Sequence, residues 1–283
     1  MKRNVLYGIF IVIAIILMVV FLSSIRKSPS NTIFPASVEP IPTEPTPPVV
    51  EVPEVPHFHY IEIINGCGVA FDTTPCINMR SGPSVSAEKV ARLRTGIVLK
   101  VEETTVQGEE HEWYKIIFDG EIRYPERVEG DWYVAVDPTS VRKIENIGDI
   151  DLTKNSPKTN KRIVVDISTE TLYAYEGDVL FMKELISTGL EFTPTPSGSF
   201  TVFRKTPSRY MQGPIEGVSD QYYDLPGVPW NLYFTTGGAV IHGAYWHNHF
   251  GKPWSHGCVN LSPQNAQKLY NWADIGTSVL VKW

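Results

Sequence analysis

Hydrophobic and polar positions divide the chain into an apolar helix, a proline-rich stretch and two segments of short strands. After the basic residues Lys2 and Arg3, an uncharged run extends from Asn4 to Ile25, and its centre is almost entirely aliphatic. About twenty such residues span a bilayer as a helix. The end of the run, through Lys27, lacks the small-x-small pattern of a signal-peptidase site. We therefore predict a retained transmembrane signal-anchor over residues 1–27.

Basic residues flank this run on both sides, and after Lys27 the next Lys or Arg does not occur until Arg80. This distribution favours a cytoplasmic N-terminus, because basic residues accumulate on the cytoplasmic side of a membrane helix. We expect the rest of the chain to lie outside the cytoplasm, anchored to the membrane of the cell envelope.

Residues 28–56 carry repeated prolines interleaved with Glu, Thr and Val. Proline fixes φ and removes a backbone donor, so this segment forms no core element and favours extended polyproline geometry. At about 3.1 Å per residue it would hold the following domain at a distance from the membrane. We interpret it as a Pro-rich linker; a disordered segment would have a similar effect.

Residues 57–145 alternate short β-type runs with turn residues. Asn65-Gly66 and Thr95-Gly96 are among the turn signals. The runs are Tyr60 to Ile64, Val98 to Val101, Trp113 to Ile117 and Trp132 to Val136. Short strands at such intervals predict a small β-barrel.

Residues 146–160 are polar, which predicts a second linker, and residues 161–283 are again rich in strand-like runs. One helix signal is strong: Ser262-Pro263 supplies an N-cap and a first turn, and Ala266, Leu269 and Tyr270 follow on one face. The pattern predicts a β-sandwich with a single helix, within a fold that is mainly β.

The segment from Arg209 to Trp230 has little periodicity and many Gly, Pro and aromatic residues. Long ordered segments of this kind are often binding loops or lids. The alternative is that the aromatic side chains pack a satellite core.

Composition narrows the function classes. The 283 residues leave room for two small domains. The net charge is −6, and no block of basic residues occurs. Because nucleic-acid binding relies on such blocks, we expect no nucleic-acid partner. The oligomeric state stays open.

Candidate chemistry concentrates between Ile241 and Leu261, which holds four of the seven histidines and the only cysteine of the C-terminal half. A cysteine nucleophile requires a base, a group that orients the base, and N–H donors for an oxyanion. Cys258, His242 and the turn at Gly257 could supply these. The simpler alternatives are a buried structural cysteine and a binding module with an incidental thiol.

A zinc site is a further alternative, because His247 and His249 could join His242, His256 and Cys258 as nitrogen and sulfur ligands. However, a His-x-His pair sets no tetrahedral spacing, and no Cys-x-x-Cys accompanies it. We expect neither a metal nor another cofactor.

Ile241-His242-Gly243, a short loop and then Ser-His-Gly-Cys-Val-Asn-Leu resemble the signature of the L,D-transpeptidase (YkuD-type) catalytic domain. The resemblance extends through roughly the last 120 residues, a usual size for one domain. It includes Arg162 to Gly189 and the Thr-Pro-rich segment Thr193 to Val202. It implies Cys258 as nucleophile and His242 as its base, oriented by the carbonyl of Gly243.

The same resemblance implies a pocket around the nucleophile. The N–H groups of Gly257 and Cys258 would face the oxyanion, and Ser255, His256 and Asn260 would shape the pocket. We add four candidate substrate-binding side chains, which are Tyr233, Tyr210, Met211 and Trp246.

Ile77 to Ser84 resembles the Asn-x-Arg-x-Gly-Pro start of a bacterial SH3-type domain, and the strands at Trp113 and Trp132 fit that family too. The resemblance implies a domain that binds wall peptide or glycan. A rigid spacer is the alternative.

Cysteine parity predicts one disulfide. Outside the membrane thiols tend to pair, and Cys67 lies close to Cys76 in the chain. Pairing them leaves Cys258 free, as a nucleophile requires.

These expectations combine into one hypothesis, in which the chain forms a Cys258 thioester with a peptidoglycan stem peptide. It would then transfer the peptide to an amine and so cross-link peptidoglycan. The alternatives are an L,D-carboxypeptidase that trims stem peptides and a non-catalytic wall-binding protein.

Overall fold

The computed structural model describes residues 58–69, 76–118, 122–144, 150–151 and 159–283. The predicted signal-anchor and the Pro-rich linker lie outside these residues. Within the described part of the chain, no helix is long and apolar enough to cross a bilayer. We call residues 58–144 the N-terminal region and residues 150–283 the C-terminal region.

The N-terminal region forms an eight-stranded sheet of short strands; the mainly β character predicted for this region is confirmed, and its closure into a barrel stays a prediction. The strand order is β3-β2-β7-β6-β4-β1-β8, and β5 pairs with β6 beside this path. A short 3-10 helix, Pro125–Arg127, precedes β7. The strands are β1 (His59–Ile63), β2 (Ile77–Arg80), β3 (Lys89–Leu93), β4 (Val98–Val101), β5 (Val106–Gln107), β6 (Glu112–Ile117), β7 (Tyr133–Ala135) and β8 (Val141–Ile144).

The disulfide predicted between Cys67 and Cys76 is present, and Cys258 is a free cysteine. Next to the bridge, the N–H of Cys67 donates to the carbonyl of Leu93 at 3.1 Å. The Arg94 Nε donates to the carbonyl of Val69, also at 3.1 Å. The disulfide therefore lies beside the backbone that holds the Arg94 side chain in place.

The C-terminal region contains two five-stranded sheets and one helix. One sheet has the order β12-β11-β10-β18-β13 and the other β17-β16-β15-β14-β9. The strands are β9 (Ile150–Asp151), β10 (Lys161–Asp166), β11 (Thr171–Glu176), β12 (Val179–Leu185), β13 (Gly198–Thr201), β14 (Arg204–Ile215), β15 (Ser219–Tyr233), β16 (Val240–Gly243), β17 (Val259–Leu261) and β18 (Ser278–Lys282). The short strand β9 falls inside the segment predicted as a linker and pairs with the start of β14.

The predicted helix is confirmed as α1 (Pro263–Trp272). It begins where expected because the Ser262 hydroxyl accepts a hydrogen bond from the N–H of Asn265 at 3.3 Å, and proline fits the first turn. Ala266, Leu269 and Tyr270 are buried against the sheets. The helix follows β17 directly and covers the strands that carry the candidate site.

The predicted loop from Arg209 to Trp230 is instead most of a long hairpin formed by β14 and β15. The two strands pair antiparallel, with register shifts between Arg209 and Met211 and between Gly213 and Ile215. These irregularities accommodate the glycine and proline residues that weaken the strand pattern in the sequence. The lid-like segment is therefore a pair of strands.

The N-terminal region packs directly on this hairpin. All four residues of β4 are buried, because Leu99 faces the core of its own region while Val98 packs into the core of the C-terminal region. The Ser208 hydroxyl of the hairpin donates to the Val98 carbonyl at 2.6 Å. The rings of Trp132 and Tyr210 meet edge to face at 6.1 Å. The two regions therefore belong to one compact unit.

A second contact lies at the short 3-10 helix. The N–H of Tyr124 donates to the Gln212 side chain at 2.8 Å, and the Tyr124 hydroxyl donates to the Pro214 carbonyl at 2.7 Å. Arg127 donates to the Gly213 carbonyl at 2.7 Å. We call this set of contacts the hairpin clamp.

Candidate active site

Two short buried strands bring His242 and Cys258 to one edge of a sheet. Strands β16 and β17 run parallel, with Ile241 opposite Val259 and His242 opposite Asn260. Every residue in both strands is buried. Cys258 immediately precedes β17, so its side chain and that of His242 line the same cleft.

The imidazole of His242 is buried and held on one side. Its Nδ1 lies 3.0 Å from the Gly243 carbonyl oxygen, so Nδ1 carries the proton and donates it. Nε2 therefore presents a lone pair, and it has no hydrogen-bond partner among the described residues. Burial lowers the pKa of His242 to about 4, so the ring is neutral at pH 7.

The thiol of Cys258 is also uncharged at neutral pH. The residue is partly exposed to the cleft, and its sulfur lies 3.9 Å from the Gly238 carbonyl oxygen. Burial raises the pKa of Cys258; a backbone hydrogen bond with Val240 and the charge of Arg209 act in the opposite direction. The resting pair is therefore a thiol beside a neutral imidazole.

The turn before the cysteine is fixed by Ser255. Its hydroxyl donates to the Cys258 carbonyl at 2.6 Å and accepts from the N–H of Gly257 at 3.1 Å. Gly257 has φ +112°, a conformation that L side chains rarely adopt. This arrangement differs from the expectation for Gly257, because its N–H is engaged by Ser255 and not directed at an oxyanion. Of the two expected donors, the Cys258 N–H stays a candidate.

Asn260 and His256 lie on either side of this turn. The Asn260 amide nitrogen is 2.9 Å from His247 Nε2, and His247 Nδ1 accepts the N–H of His249 at 3.2 Å. His256 stacks on the Tyr223 ring with centroids 6.2 Å apart. Both nitrogens of His247 are thus in contact with protein groups. No cluster of three or more His, Cys, Asp or Glu that could hold a metal ion occurs in the described residues.

The cleft around Cys258 has a volume of about 530 Å³ and is built from both regions. Its floor is the site just described. The hairpin contributes Met211 and Tyr223 to its lining, and the segment at Thr193 contributes further residues. Trp246 lines the cleft near the base, with its ring centroid 5.8 Å from that of His242.

The other two candidate substrate residues lie elsewhere. Tyr233 and Tyr210 line a second cleft of about 330 Å³, which adjoins the first. Tyr210 is only 9% exposed because its ring packs against Phe118 and Trp132 in the core between the regions. Its hydroxyl donates to the Asp224 carboxylate at 3.1 Å. The position of Tyr210 therefore fits the alternative interpretation, in which these aromatic side chains pack a core, better than it fits contact with substrate.

Three arginines of the cleft were not among the predicted site residues. Arg94 and Arg123 come from the N-terminal region, and Arg209 comes from the hairpin. At Cys258 burial raises the pKa and the charge of Arg209 opposes that rise; at His242 burial lowers the pKa and the charge of Arg209 lowers it further. In the sequence Arg209 could pair with a substrate carboxylate, although a solvated surface residue is the simpler interpretation; Arg94 and Arg123 carry no signal that marks them.

Comparisons with known proteins agree with both resemblances. Residues 160–281 match the family model of the L,D-transpeptidase catalytic domain, and residues 76–125 match that of the bacterial SH3 domain. A curated relative, Probable L,D-transpeptidase 3 of Mycobacterium tuberculosis, is 36% identical over 102 residues, or 31% of this chain and 34% of the relative. The matched part thus spans about a third of that relative's length.

Two solved structures are also similar in sequence to part of this chain. The catalytic domain of the E. faecium L,D-transpeptidase is 26% identical, with a TM-score of 0.38, over 43% of this chain and 96% of that one. An L,D-transpeptidase from Stackebrandtia nassauensis is 25% identical, with a TM-score of 0.37, over 46% of this chain and 59% of that one.

Proposed function

We propose that this protein is a cell-wall L,D-transpeptidase, a cysteine acyltransferase that cross-links peptidoglycan stem peptides. The observation that carries the proposal is the pair at the cleft floor. A free thiol at Cys258 and the unpartnered Nε2 of His242 face one cleft, within a segment that matches the catalytic-domain model.

The resting state defines the first step. Because both groups are neutral, His242 acts as a general base during attack and does not hold a preformed ion pair. The Cys258 sulfur attacks the carbonyl carbon of the donor peptide as its proton passes to Nε2. The resulting imidazolium is stabilised through Nδ1, which donates to the Gly243 carbonyl. The Gly243 carbonyl thus takes the orienting role that a carboxylate fills in other triads.

The second half of the reaction returns the proton. The tetrahedral intermediate collapses, the C–N bond breaks, and the leaving amine of terminal D-alanine takes the proton from His242. The thioester is then attacked by the side-chain amine of a second stem peptide, with His242 again as base. The C–S bond breaks, an amide forms and the thiol is restored. An N–H donor at the oxyanion, for which Cys258 is the candidate, typically contributes about 3 kcal/mol to such steps.

The test is intact-protein mass spectrometry after incubation with a tetrapeptide donor or a carbapenem. The expected result is one covalent adduct on the wild-type protein and none on Cys258→Ala. An adduct that persists on Cys258→Ala would refute the assignment of the nucleophile. Amine-dependent dimer formation supports transpeptidation, hydrolysis alone would identify a carboxypeptidase, and peptide binding without an adduct would identify a wall-binding protein.

We also propose an envelope location, with the N-terminal run as membrane anchor. The disulfide between Cys67 and Cys76 supports this location, because such bonds persist in oxidising compartments. Protease added to intact cells with a permeabilised outer layer should degrade the C-terminal region. Protection of that region until the membrane is lysed would contradict the proposal.

A further inference from the structure

The second cleft lies between the N-terminal region and the hairpin and continues the cleft of Cys258. The two clefts share five lining residues, which are Arg123, Arg209, Met211, Ile215 and Tyr223. A molecule that occupies the second cleft therefore reaches the first without leaving the protein surface. The volume of about 330 Å³ suits a peptide side chain with its terminal group.

The combined clefts are strongly cationic. Four arginines line them, which are Arg94, Arg123, Arg204 and Arg209, and no Asp or Glu is among the lining residues. The chain as a whole has 31 acidic against 25 basic side chains. Basic groups are thus concentrated here against the overall balance, and walls of one charge sign attract the opposite sign.

The guanidinium groups of the second cleft are available to a ligand. Arg123, Arg204 and Arg209 form no ion pair with any carboxylate in the described part of the chain. Arg204 and Arg209 lie over the Tyr233 ring, at 5.0 and 5.6 Å from its centroid. Stacking restricts the planes of these groups but uses none of their N–H donors.

Neutral donors complete the pocket. Tyr223 lines both clefts, and burial raises its pKa, so its hydroxyl stays protonated. Thr206 lies 3.5 Å from the Tyr233 hydroxyl at the pocket wall. A pocket of planar guanidinium forks and hydroxyl donors matches the geometry of a carboxylate, which accepts paired N–H bonds.

We propose that the second cleft is a carboxylate subsite for a stem peptide, and that Arg123 of the N-terminal region supplies part of it. The inference rests on the proposed function, because it takes a stem peptide as the ligand. It gives the N-terminal region a role in substrate recognition beyond that of a spacer. Arg123 acts here as a specificity-determining residue.

The binding test uses Cys258→Ala protein and a synthetic tetrapeptide with free carboxylates, measured by calorimetry against its carboxamide form. Adding Arg123→Gln or Arg204→Gln should weaken binding of the carboxylate form about tenfold and leave the carboxamide form unchanged. The control is Arg92→Gln, an exposed residue of β3 that lines neither cleft. Equal affinities across all variants would overturn the proposal.

A kinetic measurement distinguishes the donor peptide from the acceptor peptide. In wild-type protein, Arg123→Gln should raise the KM of whichever peptide, donor or acceptor, places its carboxylate in the second cleft, with kcat nearly unchanged. Loss of kcat with an unchanged KM for both peptides would contradict a binding role. Circular dichroism on each variant verifies folding, which an exposed Arg123 should not affect.

The two proposals can fail separately. Arginine-dependent binding without transfer by wild-type protein would retain the subsite and refute the transpeptidase. Transfer by wild-type protein with no dependence on Arg123 or Arg204 would retain the transpeptidase and refute the subsite.

Discussion

The strand pair β16/β17 and the hairpin β14/β15 adjoin in one sheet, where β15 pairs with β16, but they are stabilised in different ways. The strand pair is buried throughout and is fixed by its own parallel register and by helix α1, all within one region. The hairpin is fixed by the clamp and by β4, which belong to the other region. Contacts within the C-terminal region thus position the reactive groups. Contacts between the two regions position the substrate surface.

The largest effect is expected at the strand pair. His242→Gln removes the base and should reduce the acylation rate by about 10³-fold, because general-base catalysis typically contributes 10²–10⁴-fold. Stopped-flow kinetics with a carbapenem would measure this rate. The hairpin is untouched, so the Kd of a tetrapeptide should change less than twofold. A rate within tenfold of wild type would show that His242 is not the base.

The second-largest effect is expected at acid pH, which should destabilise the strand pair. The pKa of His242 is lowered from 6.5 to about 4 by burial, so the unfolded chain binds its proton first as the pH falls. The stability contributed by the neutral ring is present above pH 6.5 and is lost progressively between pH 6.5 and pH 4. The loss is on the order of 3 kcal/mol. Denaturant titrations at both pH values should show it, and His242→Gln should reduce the difference without abolishing it, because burial lowers the pKa of His247 to about 4 as well.

The junction between the regions should be sensitive at Gly227. This residue has φ +65°, and a Cβ there would lie 2.5 Å from the Val98 carbonyl oxygen. Gly227→Ala should reduce the free energy of unfolding by about 2 kcal/mol through strain and a forced shift of β4. Gly130→Ala is the control, with φ +71° and nothing within 4 Å of the added Cβ. Equal losses in the two variants would show that the close approach has no cost.

The smallest effect is expected at the clamp. Tyr124→Phe removes the hydrogen bond to the Pro214 carbonyl and should cost about 1 kcal/mol. We expect a modest rise in the KM of the peptide with an unchanged rate of reaction with a carbapenem. Tyr173→Phe is the control, because that hydroxyl has no hydrogen bond among the described residues. A parallel fall in carbapenem reactivity would link the clamp to the chemistry.

The sequence predicts the local features well. The contrast between strand-like runs and one capped helix predicts a mainly β chain with α1, and the proximity of Cys67 to Cys76 predicts their bridge. The motifs around Cys258 identify the candidate site because its residues lie in two short segments joined by a single loop, residues 244–254. In each case the interacting residues are near one another in the chain.

Features that depend on distant contacts were predicted less well. The Gly and Pro residues of β14 and β15 indicate a loop, because each weakens a strand locally, yet packing against β4 and the clamp stabilises a hairpin there. Tyr210 was predicted to bind substrate, and its ring is buried against Trp132 while the residue still lines the second cleft. Arg123 could not be assigned to the cleft from the sequence, because no local pattern predicts which surface of one region will pack against the other.

The burial of β4 against the hairpin also determines what can be cut or exchanged in this protein. A fragment made only of the segment that matches the catalytic-domain model would leave Val228 and Tyr245 exposed, since both pack in the core of the other region. New apolar surface of that kind promotes aggregation. Chimeras and truncations should therefore carry residues 58–283 as a single module.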